Sequence, residues 1–242
     1  MLTIKQLAIS RSTGKSFFNV CLPELSLNAG QVVVIQGDSG SGKSTLLEMI
    51  GMILKPDELD CYKLVLDNSD IDIAKLIHRN DIDELAIIRA RYLGFMLQTG
   101  GLLPFLTIRE NIVLPLKLLQ LPVDMSRFDY LVDKLNIAHL LSKYPKQLSI
   151  GERQRASFIR SIIHKPALLL ADEPTSALDP YNANLLFDLI IEQAKQDNIA
   201  AMIVTHDWQR IASKGLFTLS AKLNSPQSSV FLPLQSKVCV DE

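Results

Sequence analysis

Short apolar runs alternate along this chain with longer amphipathic stretches, the pattern of strands and helices laid down in turn. Residues 2–9 and 17–22 predict two short strands, leading to a third at 31–36 whose centre, Val32-Val33-Val34-Ile35, is apolar at every position. Asn28-Ala29-Gly30 predicts the turn before it. A helix follows to about Gly51, and Lys55-Pro56-Asp57 breaks the chain. Lys63 to Leu66 predicts a strand, the polar stretch after it no element, and Asp81 to Arg91 a helix. Leu93 to Leu97 predicts another strand, ending at Gln98.

Residues 99–148 predict helices at Ile108–Leu119 and Ser126–Leu135, with a short piece before Tyr144-Pro145. Helix resumes from Ile150 to Ile163. Ala167–Ala171 and Ala200–Val204 predict buried strands on either side of a helix, Pro180–Gln196. A short helix is expected near Asp207, then strand-like pieces at 216–220 and 230–234. Apolar strands alternating with helices predict an α/β fold with a mainly parallel sheet covered on both faces. The block 99–163 predicts an all-helical insertion.

Composition narrows the functional class. An apolar fraction of 48% supports a buried sheet, and 242 residues suit one large domain or a core with a subdomain. Lys and Arg number 25 against 26 Asp and Glu, so electrostatics give no case for nucleic acid or anionic lipid as the main partner. Cys21, Cys61 and Cys239 are scattered without metal-ligand spacing and predict reduced thiols of a cytosolic protein. The N-terminus alternates like a strand and carries no secretory apolar region. No apolar run reaches the 18 or more residues of a membrane span, so a membrane role is expected to come through a partner.

The chemistry concentrates at predicted strand ends. Gly37-Asp38-Ser39-Gly40-Ser41-Gly42-Lys43-Ser44-Thr45 stands between the buried strand 31–36 and a helix start, the setting of a phosphate-binding loop. Its glycines permit backbone angles and close approaches that a Cβ blocks. Successive N–H groups and the positive end of the following helix can then wrap a triphosphate. Lys43 supplies a point charge for the β- and γ-phosphates, and Ser44 a hydroxyl for magnesium.

Leu168 to Ala171 ends in Asp172 and Glu173. Ligands collect at the carboxyl ends of parallel strands, which predicts this pair beside the phosphate loop. Asp172 would hold magnesium, and Glu173 would orient or deprotonate an attacking water. Taken alone, two such acids are ordinary solvated side chains. Gln98 and His206 also end strands and are candidates for the water, the γ-phosphate and, for Gln98, the metal. Leu148-Ser149-Ile150-Gly151-Glu152-Arg153-Gln154 has two compatible readings. Ser149 and Glu152 form a capping box, and the helix start they close is a second anion site. Because that site lies in the helical insertion, Ser149 and Gly151 would serve a nucleotide held mainly by another subunit.

Together these residues resemble the nucleotide-binding subunit of ATP-binding cassette (ABC) transporters, over about residues 1–220. Gly37–Thr45 resembles the family's Walker A loop, Gln98 its Q-loop and Leu148–Glu152 its signature. Leu168–Asp172 with Glu173 resembles Walker B and its glutamate, Ser176-Ala177-Leu178-Asp179 the D-loop, and His206 the switch histidine. Ile87 to Gln98, with Leu102-Leu103-Pro104 and Glu110-Asn111, is similar to the branch holding lipoprotein-release, macrolide-export and cell-division ATPases.

The resemblance implies a P-loop NTPase spanning 1–242, with residues 1–98 and 164–242 as the core plus an antiparallel β subdomain and 99–163 as the helical subdomain. It also implies ATP and Mg2+, hydrolysis, a head-to-tail homodimer, an integral membrane permease touched through Gly101–Leu106 (a segment that reads equally as core of the helical region, both holding for different side chains), and a place on the cytoplasmic face of the inner membrane. A force-transmitting or regulatory ATPase that moves no substrate is the alternative. Two departures stand out. The signature has Ile150 where the family usually has glycine, and the usual adenine-stacking aromatic is replaced by Arg11-Ser12-Thr13-Gly14, leaving Phe17, Phe18 or Arg11 as substitutes.

Overall fold

A computed structural model describes residues 1–13, 16–66, 69–207, 214–225 and 227–233. Its ten strands form one sheet in the order β5-β4-β1-β2-β10-β9-β3-β8-β7-β6. Four strands at one side of that sheet are antiparallel: β1 (Leu2–Thr13) and β2 (Ser16–Leu27) form a hairpin, with β4 (Cys61–Leu66) beside β1 and β5 (Ser69–Asp72) beyond β4. Four at the other side, β3 (Val32–Gln36), β8 (Ala200–Val204), β7 (Leu168–Asp172) and β6 (Leu93–Met96), are parallel throughout. Strands β9 (Phe217–Ser225) and β10 (Ser228–Pro233) join the halves, β9 running parallel to β3 and β10 parallel to β2.

The hairpin strands are 12 residues each, longer than the apolar alternation implies. Backbone pairing continues through Ser10, Arg11, Ser12 and Thr13, which carry no apolar signal. The polar stretch after Leu66 is also structured. It contains β5 and a helix, α2 (Ile73–Arg79), begun by the Asp72 carboxylate accepting from the Lys75 N–H at 3.1 Å. The expected short helix near Asp207 and the third thiol, Cys239, lie outside the described residues; Cys21 and Cys61 are free thiols.

The parallel strands are apolar on both sides because both faces are covered. Val33, Ile35, Leu168, Leu170, Met202 and Val204 face one apolar cluster with the hairpin, α1 (Lys43–Ile50), α2 and α3 (Ile82–Tyr92). Val32, Leu169, Ala171, Ala201 and Ile203 face a second, with α4 (Ile108–Leu118), α5 (Met125–Lys134), α6 (Ile150–Ile162) and α7 (Pro180–Gln196). The helices of 108–162 therefore share one continuous core with the sheet and α7.

Caps fix where the helices start. Thr107 and Glu110 close α4, Asp124 accepts at the start of α5, Ser149 and Glu152 close α6, and Asp179 accepts from the Tyr181 and Asn182 N–H groups before α7. No helix among the described residues is long and apolar enough to cross a membrane.

Candidate functional site

All four parallel strands present their carboxyl ends at one edge of the sheet. The loop after β3, the two acids ending β7, Gln98 after β6 and His206 after β8 consequently converge there. Between them and the hairpin lies an open cavity of about 670 Å³, lined by Ser39, Gly40, Gly42, Lys43, Ser44, Thr45, Gln98, Asp172, Glu173 and His206, with Arg11, Phe18 and Val20 beyond.

The loop makes its turn through Gly40 and Gly42, with φ of 79° and 86°, a region that disfavours any side chain. A Cβ on Gly42 would also meet Val20 Cγ2 at 2.5 Å, so the hairpin can pack on the loop only over glycine. Ser41 turns inward, and its carbonyl accepts from Ser229 Oγ at 2.7 Å. Lys43 is 7% exposed, and its ammonium donates to the Gly37 and Asp38 carbonyls at 2.8 and 2.7 Å. Burial lowers its pKa, against the raising influence of Glu173, Asp172 and Asp38. A buried cation beside a loop of N–H groups is a strong site for a polyanion.

On the facing wall Ser44 Oγ donates to Asp172 Oδ2 at 2.8 Å. Glu173 accepts from Gln98 Nε2 at 3.1 Å on one carboxylate oxygen, and His206 Nε2 lies 2.9 Å from the other. Glu173 has φ 48°, a left-handed conformation that costs about 1–2 kcal/mol for a residue with a Cβ. The surroundings hold it there: its N–H donates to the Val204 carbonyl at 2.9 Å, and its own carbonyl accepts from Ser176 N and Oγ at 3.2 and 3.1 Å. Strain held at such a point is a mark of a functional position.

Gln154 ends the Leu148–Gln154 stretch, yet the sequence pattern assigns it no role of its own. It is fully buried, and its amide nitrogen reaches the Gln98 carbonyl, the Glu173 carbonyl and Ser176 Oγ at 3.3, 3.4 and 3.3 Å, while its oxygen accepts from Ala177 N at 3.4 Å. It ties the Gln98 strand end to the Glu173 turn. The available signal was a Gln on the inner face of a helix otherwise buried through Ala156, Phe158 and Ile159.

Ser149 and Gly151 are not brought to this cavity. Ser149 caps α6, its hydroxyl accepting from Glu152 N at 3.2 Å while Glu152 accepts from Ser149 N at 2.7 Å. These bonds hold the Glu152 carboxyl below its ordinary range. A Cβ on Gly151 would meet Leu178 Cδ2 at 2.8 Å and the Ala177 carbonyl at 3.1 Å, so glycine is needed there for α6 to lie on the 176–178 turn. Ile150 meets no such demand and is 52% exposed. In the Gly101–Leu106 segment Leu102 packs into the core, whereas Phe105 is 70% exposed. The segment is pinned by buried Asn111, whose side chain bonds the backbone of Leu103, Leu106 and Thr107.

A phosphate loop at a parallel sheet edge, faced by two carboxylates, a Gln and a His from neighbouring strand ends, defines an ATP-binding cassette. The ABC transporter family model matches residues 23–176, and the chain belongs to that family. It is 40% identical over 186 residues to the uncharacterized ABC transporter ATP-binding protein YvcR of Bacillus subtilis, covering 76% of this chain and 68% of that protein. It is 35% identical over 213 residues to the lipoprotein-releasing system ATP-binding protein LolD of Rickettsia conorii, covering 86% and 90%. Among solved structures it resembles the dimeric, post-hydrolysis state of the cassette MJ0796 bound to ADP and Pi, with a TM-score of 0.76, 30% identity, and 91% and 94% of the two chains covered. The chain is an ATP-binding and ATP-hydrolysing subunit of the ABC transporter type, in the branch that holds the lipoprotein-release ATPases.

Proposed function

We propose that the cavity at the sheet edge binds ATP with Mg2+ and hydrolyses it between two copies of the chain. The observation that carries this reading is the convergence of Lys43, the Ser44–Asp172 pair and the Gln98–Glu173–His206 cluster on one cavity. Loop N–H groups and Lys43 bind the phosphates. Ser44 and Asp172 are hard oxygen donors 2.8 Å apart, the small set that Mg2+ takes alongside phosphate oxygens, and the ion when bound neutralises phosphate charge. Glu173 orients the attacking water and accepts its proton as oxygen attacks the γ-phosphorus and the bond to ADP breaks. His206 hydrogen-bonds the γ-phosphate, and Gln98 positions the water.

Ser149 and Gly151, at the start of α6 and away from their own chain's cavity, cover the triphosphate of a second copy in a head-to-tail homodimer. ATP thereby contributes to the interface, and its hydrolysis parts the halves. Closure is passed to an integral membrane permease through the pinned 101–106 segment, where Phe105 is exposed. The chain works on the cytoplasmic face of the membrane, with no nucleic acid partner.

Steady-state ATP hydrolysis in magnesium tests the site. Asp172→Asn is expected to lower turnover at least about 100-fold, and EDTA to abolish it in the unaltered chain. An Asp172→Asn protein that turns over at the unaltered rate would contradict the assignment.

A further inference from the structure

The phosphate loop rests on the β9–β10 hairpin and meets it at two points. A Cβ on Gly37 would stand 2.7 Å from the Ala221 Cβ of β9, so that strand packs directly under the start of the loop. On β10, Ser229 is fully buried, and its hydroxyl donates at 2.7 Å to the carbonyl of Ser41, 188 positions away in the chain. Ser229 is the register partner of Val20 on β2, the residue that fills the space over Gly42. Pairing of β10 with β9 slips at the same place: Ser228 stands opposite Ser225, but Ser229 opposite Leu223. Such bulges re-aim side chains and are frequent beside active sites. Lys43 holds the Gly37 and Asp38 carbonyls, and Ser229 holds that of Ser41.

The Ser229 bond orients a donor. A trans peptide keeps its C=O and N–H on opposite sides of one plane. With the Ser41 carbonyl fixed toward β10, the Gly42 N–H of the same peptide points the other way, toward the cavity that Gly42 lines and Ser41 does not. That N–H has no acceptor among the described residues. Gly42 has no Cβ to resist rotation, so without the bond the peptide can turn over and present its carbonyl to the cavity. A carbonyl oxygen there repels the phosphate that the N–H attracts. We propose that Ser229 is a positioning residue of the nucleotide site, a latch that keeps the Ser41–Gly42 peptide turned with its N–H toward the phosphates. This rests on the phosphate-binding reading of the loop. It makes the β9–β10 hairpin, which lines none of the cavity, part of the binding machinery.

Calorimetric binding of ATP and inorganic tripolyphosphate to the full chain tests the latch. Ser229→Ala is expected to weaken both about tenfold, because the lost contact is with phosphate. Ser229→Cys, a poorer donor of similar size, is expected to weaken both about threefold. Tyr62→Phe is the matched control, since it deletes a buried hydroxyl that donates to the Ile50 carbonyl at the opposite end of α1 from the loop. It is expected to cost comparable stability while both affinities stay within about twofold. In NMR spectra the Gly42 amide proton is expected to move downfield when tripolyphosphate binds the unaltered chain, and less far in Ser229→Ala. Unchanged affinities in either Ser229 variant, a loss in Tyr62→Phe as large as in Ser229→Ala, or an equal Gly42 shift in the two chains would each overturn the proposal. Lys43→Ala separates the two levels. It is expected to weaken both ligands, and if it weakens neither, the phosphate-loop reading fails and takes the latch with it; if it weakens both while Ser229→Ala changes nothing, the latch alone is lost.

Discussion

His206 Nε2 lies 2.9 Å from Glu173 Oε1, across the gap between the ends of β8 and β7. Gln98, from the end of β6, holds the other carboxylate oxygen at 3.1 Å. Three adjacent parallel strands thus deliver one side chain each to a single hydrogen-bonded cluster, and the carboxylate at its centre sits on a strained backbone that its neighbours hold in place. Removing Gln98 or His206 therefore removes one of the groups that hold the Glu173 carboxylate.

The first consequence concerns His206. His206→Ala removes one of the two groups that fix the Glu173 carboxylate, without touching the phosphate loop. Turnover is expected to fall about 100-fold, with a smaller fall in ATP affinity from the lost bond to the γ-phosphate. A turnover within twofold of the unaltered chain, measured at saturating ATP, would count against a catalytic His206.

Gln154 acts from behind the site. Gln154→Leu leaves the Ala177 N–H without its acceptor and removes the tie between the Gln98 and Glu173 turns. A loss of about 1–2 kcal/mol in denaturant unfolding is expected, with a larger fall in turnover than in ATP affinity. Unaltered unfolding together with unaltered turnover would contradict a positioning role.

Ile150 is the chain's departure from its family's usual signature, and the geometry says why it is tolerated. Gly151 is demanded by contacts with Leu178 and Ala177, whereas Ile150 projects into solvent from the first turn of α6. Any hindrance it causes arises only against a second copy. Ile150→Gly is expected to raise ATP turnover about fivefold, the equivalent of relieving about 1 kcal/mol in closure. An unchanged or lower rate rejects hindrance by Ile150.

His164 gives the fold an acid-sensitive point. Its Nε2 bonds the Leu93 carbonyl at 3.2 Å, and its buried Nδ1 has no partner among the described residues. Burial, with help from the charge of Arg127, pushes the imidazole below its ordinary 6.5 against the opposing pull of that carbonyl. The unfolded chain therefore binds a proton before the folded one does. Stability is full above pH 6.5 and is lost as pH falls from there toward the folded-state value, by up to about 1.4 kcal/mol per unit. Unfolding of the His164→Gln protein at pH 7.5 and 5.5 is expected to show a smaller difference than the unaltered chain. An equal difference would exclude His164 as the source.

Much of this was legible in the residues. Strands β7 and β8 are uninterrupted apolar runs, and α7 is bracketed by Asp179-Pro180 at one end, so local chemistry fixes them. The phosphate loop, Asp172, Glu173, Gln98 and His206 could be placed together because each follows a parallel strand. What escaped depends on partners distant in sequence. β5 has one apolar residue, Ile71, and forms because β4 supplies a register for it. The bridging by Gln154 depends on residues 19 and 56 positions away, and the positive φ of Glu173 is held by its bond to Val204 on a different strand. Nor does spacing alone separate Phe17 from Phe18; the hairpin register does.

Glu173→Gln, followed by size-exclusion chromatography with light scattering in ATP and magnesium, addresses the composite active site most directly. The account predicts a dimer in ATP with turnover reduced at least about 100-fold, a monomer without nucleotide, and a monomer in ATP once Ser149→Arg is added. A Glu173→Gln chain that stays monomeric in ATP, or a doubly altered chain that dimerises as readily, would contradict it.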